Sequence, residues 1–127
     1  MSYELTQRFF FEAAHTLQRA GAIDAGLARD ASRRIHGHTY VARVTVGGEP
    51  APVTGMVVDL ALLRAEIERA RALLDHRLLD DVAGLGAATL ENLCGFIHRE
   101  MARTGWRIVR VEVGREASGD SCTLRLE

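Results

Sequence analysis

The chain lacks an excess of charge of either sign. Sixteen lysines and arginines stand against 17 aspartates and glutamates, for a formal charge of -1 and a pI near 6.5. No global basic field exists to draw in nucleic acid or an anionic membrane surface, so any anionic ligand has to be met by local arginines. Cysteine is scarce too. Cys94 and Cys122 are too few and too isolated for a disulfide framework, and both are expected to be free thiols. No apolar run approaches the length that spans a bilayer. The N-terminal MSYELTQRFFFEAAH has no basic segment followed by an apolar signal core, and the expectation is a soluble, cytoplasmic protein. Repeats, low-complexity segments and linkers are absent. What remains is 127 residues, 47% hydrophobic and 26% charged, which fits a single domain over residues 1–127 with a core of ordinary size.

Residues 3 to 14 carry the triplet FFF with alternation around it and read as a first strand. His15, at its end, has the parity of Phe9, Phe11 and Ala13 and would share their face. The next twenty residues show no clean period, and a loop that long inside a small domain is more often functional than idle. Residues 36 to 46 form a second strand. The turn GGEPAP then leads to a short third strand, TGMVVD, completing a meander. Asp59 stands where an N-cap belongs, and Leu60, Leu63, Ile67, Ala70 and Leu74 repeat at helical spacing. A second helix is expected over residues 89 to 103, with Leu90, Leu93, Cys94, Ile97 and Met101 on its apolar stripe and Gly105 as its stop. WRIVRVEV and CTLRLE finish the chain as strands. The class is α+β, an antiparallel sheet with both helices on one face.

IHGHTYVARVTV puts two histidines one residue apart at the mouth of a strand. Alternate side chains share a face roughly 6.6 Å apart along the strand, so His36 and His38 aim the same way. With His15 they make three imidazoles, the number of protein ligands that a catalytic zinc usually takes while keeping a fourth position open. Taken bare, the spacing is equally compatible with two surface strand residues and a core histidine. In LDHRLLDD, Asp75 precedes His76; a carboxylate beside an imidazole can fix its tautomer and raise its basicity, as a proton relay requires. Thr89 has an N-cap's chemistry, and Glu91 sits favourably in the first turn of that helix.

The strings FFFEAAH, HGHTY, GMVVD, LDHRLLDD, ATLEN and GREASGDSCTLRLE, in this order, resemble the 6-pyruvoyl-tetrahydropterin synthase and 6-carboxy-tetrahydropterin synthase family over essentially the whole chain. The resemblance implies the T-fold subunit, a four-stranded antiparallel sheet with two helices packed on one face. It implies zinc bound by His15, His36 and His38, and Asp75 with His76 as the second catalytic element. It also implies Glu116 as the anchor of a pterin ring, with Thr89, Glu91 and Asn92 matching a helix start that supports the substrate. The usual pattern ahead of that glutamate departs here, because Gly114 and Arg115 intervene between Val113 and Glu116; a bulge or a strand offset would explain it. Arg33, Arg34 and Arg77 lie near the implied site in sequence and could meet a substrate phosphate. Family rings are homo-oligomers, trimers stacked into hexamers, with small-molecule sites between subunits.

One position breaks the pattern. Four residues before HGH, where the family carries a cysteine base, stands Ser32. A hydroxyl is a far weaker acid than a thiol and needs its own base. Asp30, on the same segment, is one carboxylate within reach along the chain. The expectation is a zinc lyase converting 7,8-dihydroneopterin triphosphate to 6-carboxy-tetrahydropterin, on the route to 7-deazapurines and queuosine. The alternatives are a 6-pyruvoyl-tetrahydropterin synthase, a divergent relative with changed pterin substrate or reaction, and a low-turnover module that binds pterin and zinc.

Overall fold

A computed structural model of the chain describes residues 1–16 and 35–126. Strand β1, Tyr3–His15, pairs antiparallel with β2, His36–Gly48, in an unbroken register from Tyr3 opposite Gly48 to His15 opposite His36. Helix α1 spans Leu60–Ala72, and its Asp59 cap accepts the Ala61 N–H at 2.8 Å, satisfying one of the helix's orphan donors. A two-residue strand β3, Arg77–Leu78, and a single 3-10 turn, Leu79–Asp81, follow. Helix α2, Leu90–Ala102, starts at Thr89, whose hydroxyl accepts the Asn92 N–H at 3.1 Å. Gly105 lies beyond its end at φ 78, a conformation only glycine adopts without strain. Strands β4, Ile108–Arg115, and β5, Asp120–Arg125, close the chain.

The sheet order is β3-β1-β2-β4-β5. Its four long strands are antiparallel, as expected, and β3 adds a short parallel pairing to β1 at Ala13 and Ala14. The third strand expected at TGMVVD does not form. There the Ala51 N–H donates to the Met56 carbonyl and the Gly55 N–H to the Ala51 carbonyl, so the backbone groups close on themselves and the chain passes straight into the Asp59 cap. Only Val58 of that run is buried. The meander is therefore two strands long, and the sheet's extra member comes from after α1.

Strand parity divides the sheet into two faces. Phe11 and Ala13 of β1, Tyr40, Ala42, Val44 and Val46 of β2, and Val111 and Val113 of β4 pack with Leu63 and Ile67 of α1 and Leu93, Ile97 and Met101 of α2 in one core. Both helices thus cover one face. The opposite face is polar and partly exposed: Thr6 and Thr45 share a hydrogen bond at 2.8 Å, Arg110 pairs with Glu4 at 3.0 Å, and Phe10 is 57% exposed.

Candidate metal centre

The register of β1 with β2 gathers the three imidazoles. His15 lies opposite His36, Ala13 opposite His38, and all three histidines share the helix-facing parity at the end of the core. Ring centroids are 4.5 Å apart for His15 and His36 and 5.0 Å for each of the other two pairs. One nitrogen from each ring lies within 4.8 Å of the other two. His15 is 3% exposed, and its two ring nitrogens, together with His38 Nε2, are buried without a hydrogen-bond partner among the described residues. Each such orphan costs about 1–3 kcal/mol, and a shared cation removes that cost. Burial lowers the His15 pKa from its ordinary 6.5, reinforced by His36 and Arg115, and burial with Arg115 does the same at His38. Neutral imidazoles are the form a metal needs. The donor set fits zinc with a fourth position left open.

Two neighbours of this cluster escaped the sequence reading. Tyr40, 1% exposed, stacks on Phe11 at 5.0 Å and meets His38 edge-on at 5.7 Å; its parity with His36 and His38 was the available signal. Asp80, in the 3-10 turn, accepts the Thr16 backbone N–H at 2.8 Å and the Thr16 hydroxyl as well, tying down the residue next to His15.

Asp75 and His76 do meet. Asp75 Oδ2 lies 3.1 Å from His76 Nδ1 and 3.2 Å from the Arg71 guanidinium, while its Oδ1 accepts the Glu12 N–H at 2.9 Å. The His76 N–H donates to the Glu12 carbonyl at 2.6 Å, and His76 holds φ 57, the sole non-glycine positive φ among the described residues. Such a conformation costs on the order of 1–3 kcal/mol and persists where the surroundings enforce it. On the other side of the ring, Glu12 Oε2 stands 3.8 Å from Nε2. Glu12, also missed, has the parity opposite to His15. A cavity of about 550 Å³ is lined by Glu12, Ala14, His38, Thr39, His76 and Arg77.

The remaining expected site residues are dispersed. Thr89 and Asn92 serve the start of α2, with the Asn92 side chain donating to the Ala87 carbonyl at 2.9 Å, and Glu91 is exposed in its first turn. Glu116 lies exposed just past β4, 3.6 Å from Arg8. No bulge accompanies Gly114 and Arg115: both continue β4, paired with Ser121 and Asp120, and Glu116 follows in the turn. Asp30, Ser32, Arg33 and Arg34 fall outside the described residues.

The profile of the family described as 6-pyruvoyl tetrahydropterin synthase matches residues 4–127. The chain belongs to that family. It is 32% identical over 104 residues to a 6-carboxy-5,6,7,8-tetrahydropterin synthase of Synechocystis sp., a match covering 78% of this chain and 74% of that protein. It is 44% identical over 72 residues to a 6-pyruvoyl tetrahydrobiopterin synthase of Poecilia reticulata, covering 54% and 49%. A Caenorhabditis elegans 6-pyruvoyl tetrahydropterin synthase structure superposes with a TM-score of 0.80 at 25% identity, over 100% of this chain and 97% of that one. Membership makes this a tetrahydropterin-synthase-type chain with the family's α+β fold. Among the described residues no helix is long and apolar enough to cross a membrane.

Proposed function

We propose that the chain is a cytoplasmic zinc-dependent lyase that converts 7,8-dihydroneopterin triphosphate to 6-carboxy-tetrahydropterin, on the route to queuosine and other 7-deazapurines. The observation that carries the reading is the convergence of three imidazoles on one point, with His15 and His38 burying ring nitrogens that have no hydrogen-bond partner among the described residues. His15, His36 and His38 would hold the zinc, which when bound supplies Lewis-acid polarisation of the oxygens on the substrate's side chain. Asp75, accepting from His76 Nδ1, fixes the tautomer that leaves Nε2 free to accept or return a proton. Glu12 Oε2 stands 3.8 Å from that Nε2, on the far side of the ring from Asp75. Glu116, whose exposed carboxylate lies 3.6 Å from the Arg8 guanidinium, is assigned to the pterin ring, because a carboxylate matches the two donors of its guanidine-like edge. Thr89 and Glu91 are assigned supporting roles in substrate binding, and Ser32 the position of the proton-abstracting group.

The outer edge of β5 has no strand beside it among the described residues, and β1 pairs outward only at Ala13 and Ala14. Open edges of this kind are completed by further strands, which supports a homo-oligomer, a trimer or a hexamer, with sites completed between copies.

A second reading rests on Ser32: a divergent relative with another pterin substrate or reaction, the 6-pyruvoyl synthase reaction among them, or a pterin- and zinc-binding module of low turnover. Mass-spectrometric product analysis after incubating the zinc-loaded protein with 7,8-dihydroneopterin triphosphate separates them. Carboxytetrahydropterin and acetaldehyde from the native chain support the lyase. A pyruvoyl product selects the other synthase, and turnover only after Ser32→Cys selects the divergent reading.

A further inference from the structure

Arg115 occupies an unexpected place. The pairing of β2 with β4 runs Ala42 with Val113 and Val41 with Gly114, and Arg115 follows directly, still in β4 and paired with Asp120 of β5. It has the parity of Val111 and Val113, both fully buried in the core, and therefore the face that carries His15, His36 and His38. The cation that ends β4 thus points to the imidazole side of the sheet, while the Glu116 carboxylate one residue later lies in the exposed turn.

Two details show a guanidinium with unused capacity. One terminal nitrogen binds Asp120 Oδ2 at 2.9 Å, whereas Nε is buried and has no partner among the described residues. A quarter of the side chain, 26%, is still open to solvent, so a ligand can reach it. Its charge is felt across the cluster, lowering the pKa of His15 and of His38. A cation beside neutral imidazoles that themselves recruit a metal is unfavourable unless an anion joins them.

We propose that Arg115 is an anion-binding residue of the histidine centre, receiving a carboxylate or phosphate oxygen of a ligand whose neighbouring oxygen lies at the metal. The inference rests on the metal reading of the three histidines. It deepens that reading by naming the chemical class that the metal-facing part of the substrate must carry: a group with two adjacent oxygens, at least one anionic. Donor-rich edges such as a pterin's amino-pyrimidinone side are excluded from that corner, because a guanidinium has only donors to offer. The planar fork of Arg115 suits two oxygens of one anion.

The test uses the full chain loaded with Co2+, whose visible spectrum reports on the histidine centre, titrated separately with oxalate and with inorganic phosphate. Metal uptake is measured first for the native chain and for His36→Ala; equal uptake by both removes the metal centre and this inference with it. With the centre established, Arg115→Met is expected to leave Co2+ uptake intact and to weaken anion binding about ten- to a hundredfold, the range for losing a charge-assisted hydrogen bond. Arg115→Lys should fall between, keeping charge without the fork. A larger loss for oxalate than for phosphate assigns the corner to a carboxylate, and the reverse to a phosphate. Asp120→Asn guards against a purely structural role: it breaks the same ion pair but frees the guanidinium, so anion binding should hold or tighten. Equal anion affinity in native and Arg115→Met protein, or an equal loss in Asp120→Asn, overturns the proposal.

Discussion

Removing the Asp80 carboxylate should loosen a metal centre it never touches. Asp80 accepts both the backbone N–H and the hydroxyl of Thr16, so it fixes the last described residue of the first segment, the one bonded directly to His15. A hydrogen bond to a charged group contributes about 1.5–3 kcal/mol when buried, but Asp80 is exposed and screening reduces each to roughly 0.5–1 kcal/mol. Two bonds then give about 1–2 kcal/mol toward holding His15, and at 1.4 kcal/mol per factor of ten Asp80→Ala should weaken zinc binding about five- to thirtyfold. Competition against a chromophoric chelator near pH 7.5 measures this. Asp80→Asn keeps an acceptor for the amide and should lose less; Thr16→Val removes the hydroxyl alone and should resemble it. The contribution of this carboxylate is constant across neutral pH. The Thr16 hydroxyl lowers the Asp80 pKa below 3.8, so its stabilisation is present above that value and is lost only as pH falls through the still lower folded one. An Asp80→Ala protein that binds zinc within twofold of native, while His15→Ala does not, would refute the reasoning.

Three further outcomes follow from the same contacts. His76→Gly relieves a left-handed residue and should leave stability unchanged or raised by about 1 kcal/mol while turnover falls about 10²–10⁴-fold; thermal melts and product formation read the two, and a marked loss of stability would count against imposed strain. Cys94 is pushed up to about 12 by burial, by the charge of the neighbouring Cys122 and by a side-chain hydrogen bond with it, so near pH 8 a disulfide reagent should modify Cys122 in the native chain and reach Cys94 only on unfolding; simultaneous labelling of both would contradict this. Burial depresses His15 and His38 below 6.5, and the unfolded chain therefore binds more protons. The metal-free protein should hold its full stability above about pH 6.5 and lose it progressively below, in denaturant titrations across that range; a flat profile between about pH 7 and pH 5 would show that these rings are not neutralised by burial.

The elements that announced themselves did so through periodicity with a start signal. In α1 the stripe of Leu63, Ile67 and Ala70 is buried as spaced, and Asp59 caps it. In α2 the stripe of Leu93, Cys94, Ile97 and Met101 does the same behind Thr89. TGMVVD misled because three apolar residues have no period to read, and a turn closed by its own backbone bonds uses the same β-branched residues as a strand would. Arg77–Leu78 was beyond any pattern at two residues, since β1 recruits it through contacts more than sixty residues apart in sequence, among them Asp75 with the Glu12 N–H.

Strand parity also governs where the site residues fall, and it reads cleanly only along an unbroken strand. His36 and His38 aim the same way because a pleat repeats every two residues; His15 was joined to them through the family resemblance, and the unbroken β1–β2 register sets it opposite His36. Tyr40 stood in the same strand as His36 and His38 and needed only the same rule carried one step further, whereas Glu12 has the opposite parity and meets His76 only because the chain after α1 returns to β1. Parity fails where a turn intervenes, because a one-residue offset exchanges the two faces. Counting back from the chain end selects Glu116 across the β4–β5 turn, whereas counting forward along β4 through Val111 and Val113 selects Arg115 for the metal-side face. The forward count holds because β4 stays paired through Gly114 and Arg115. An acid and a base, adjacent in sequence, therefore trade places between rim and centre, and the chemistry of the ligand's metal-facing end changes sign with them.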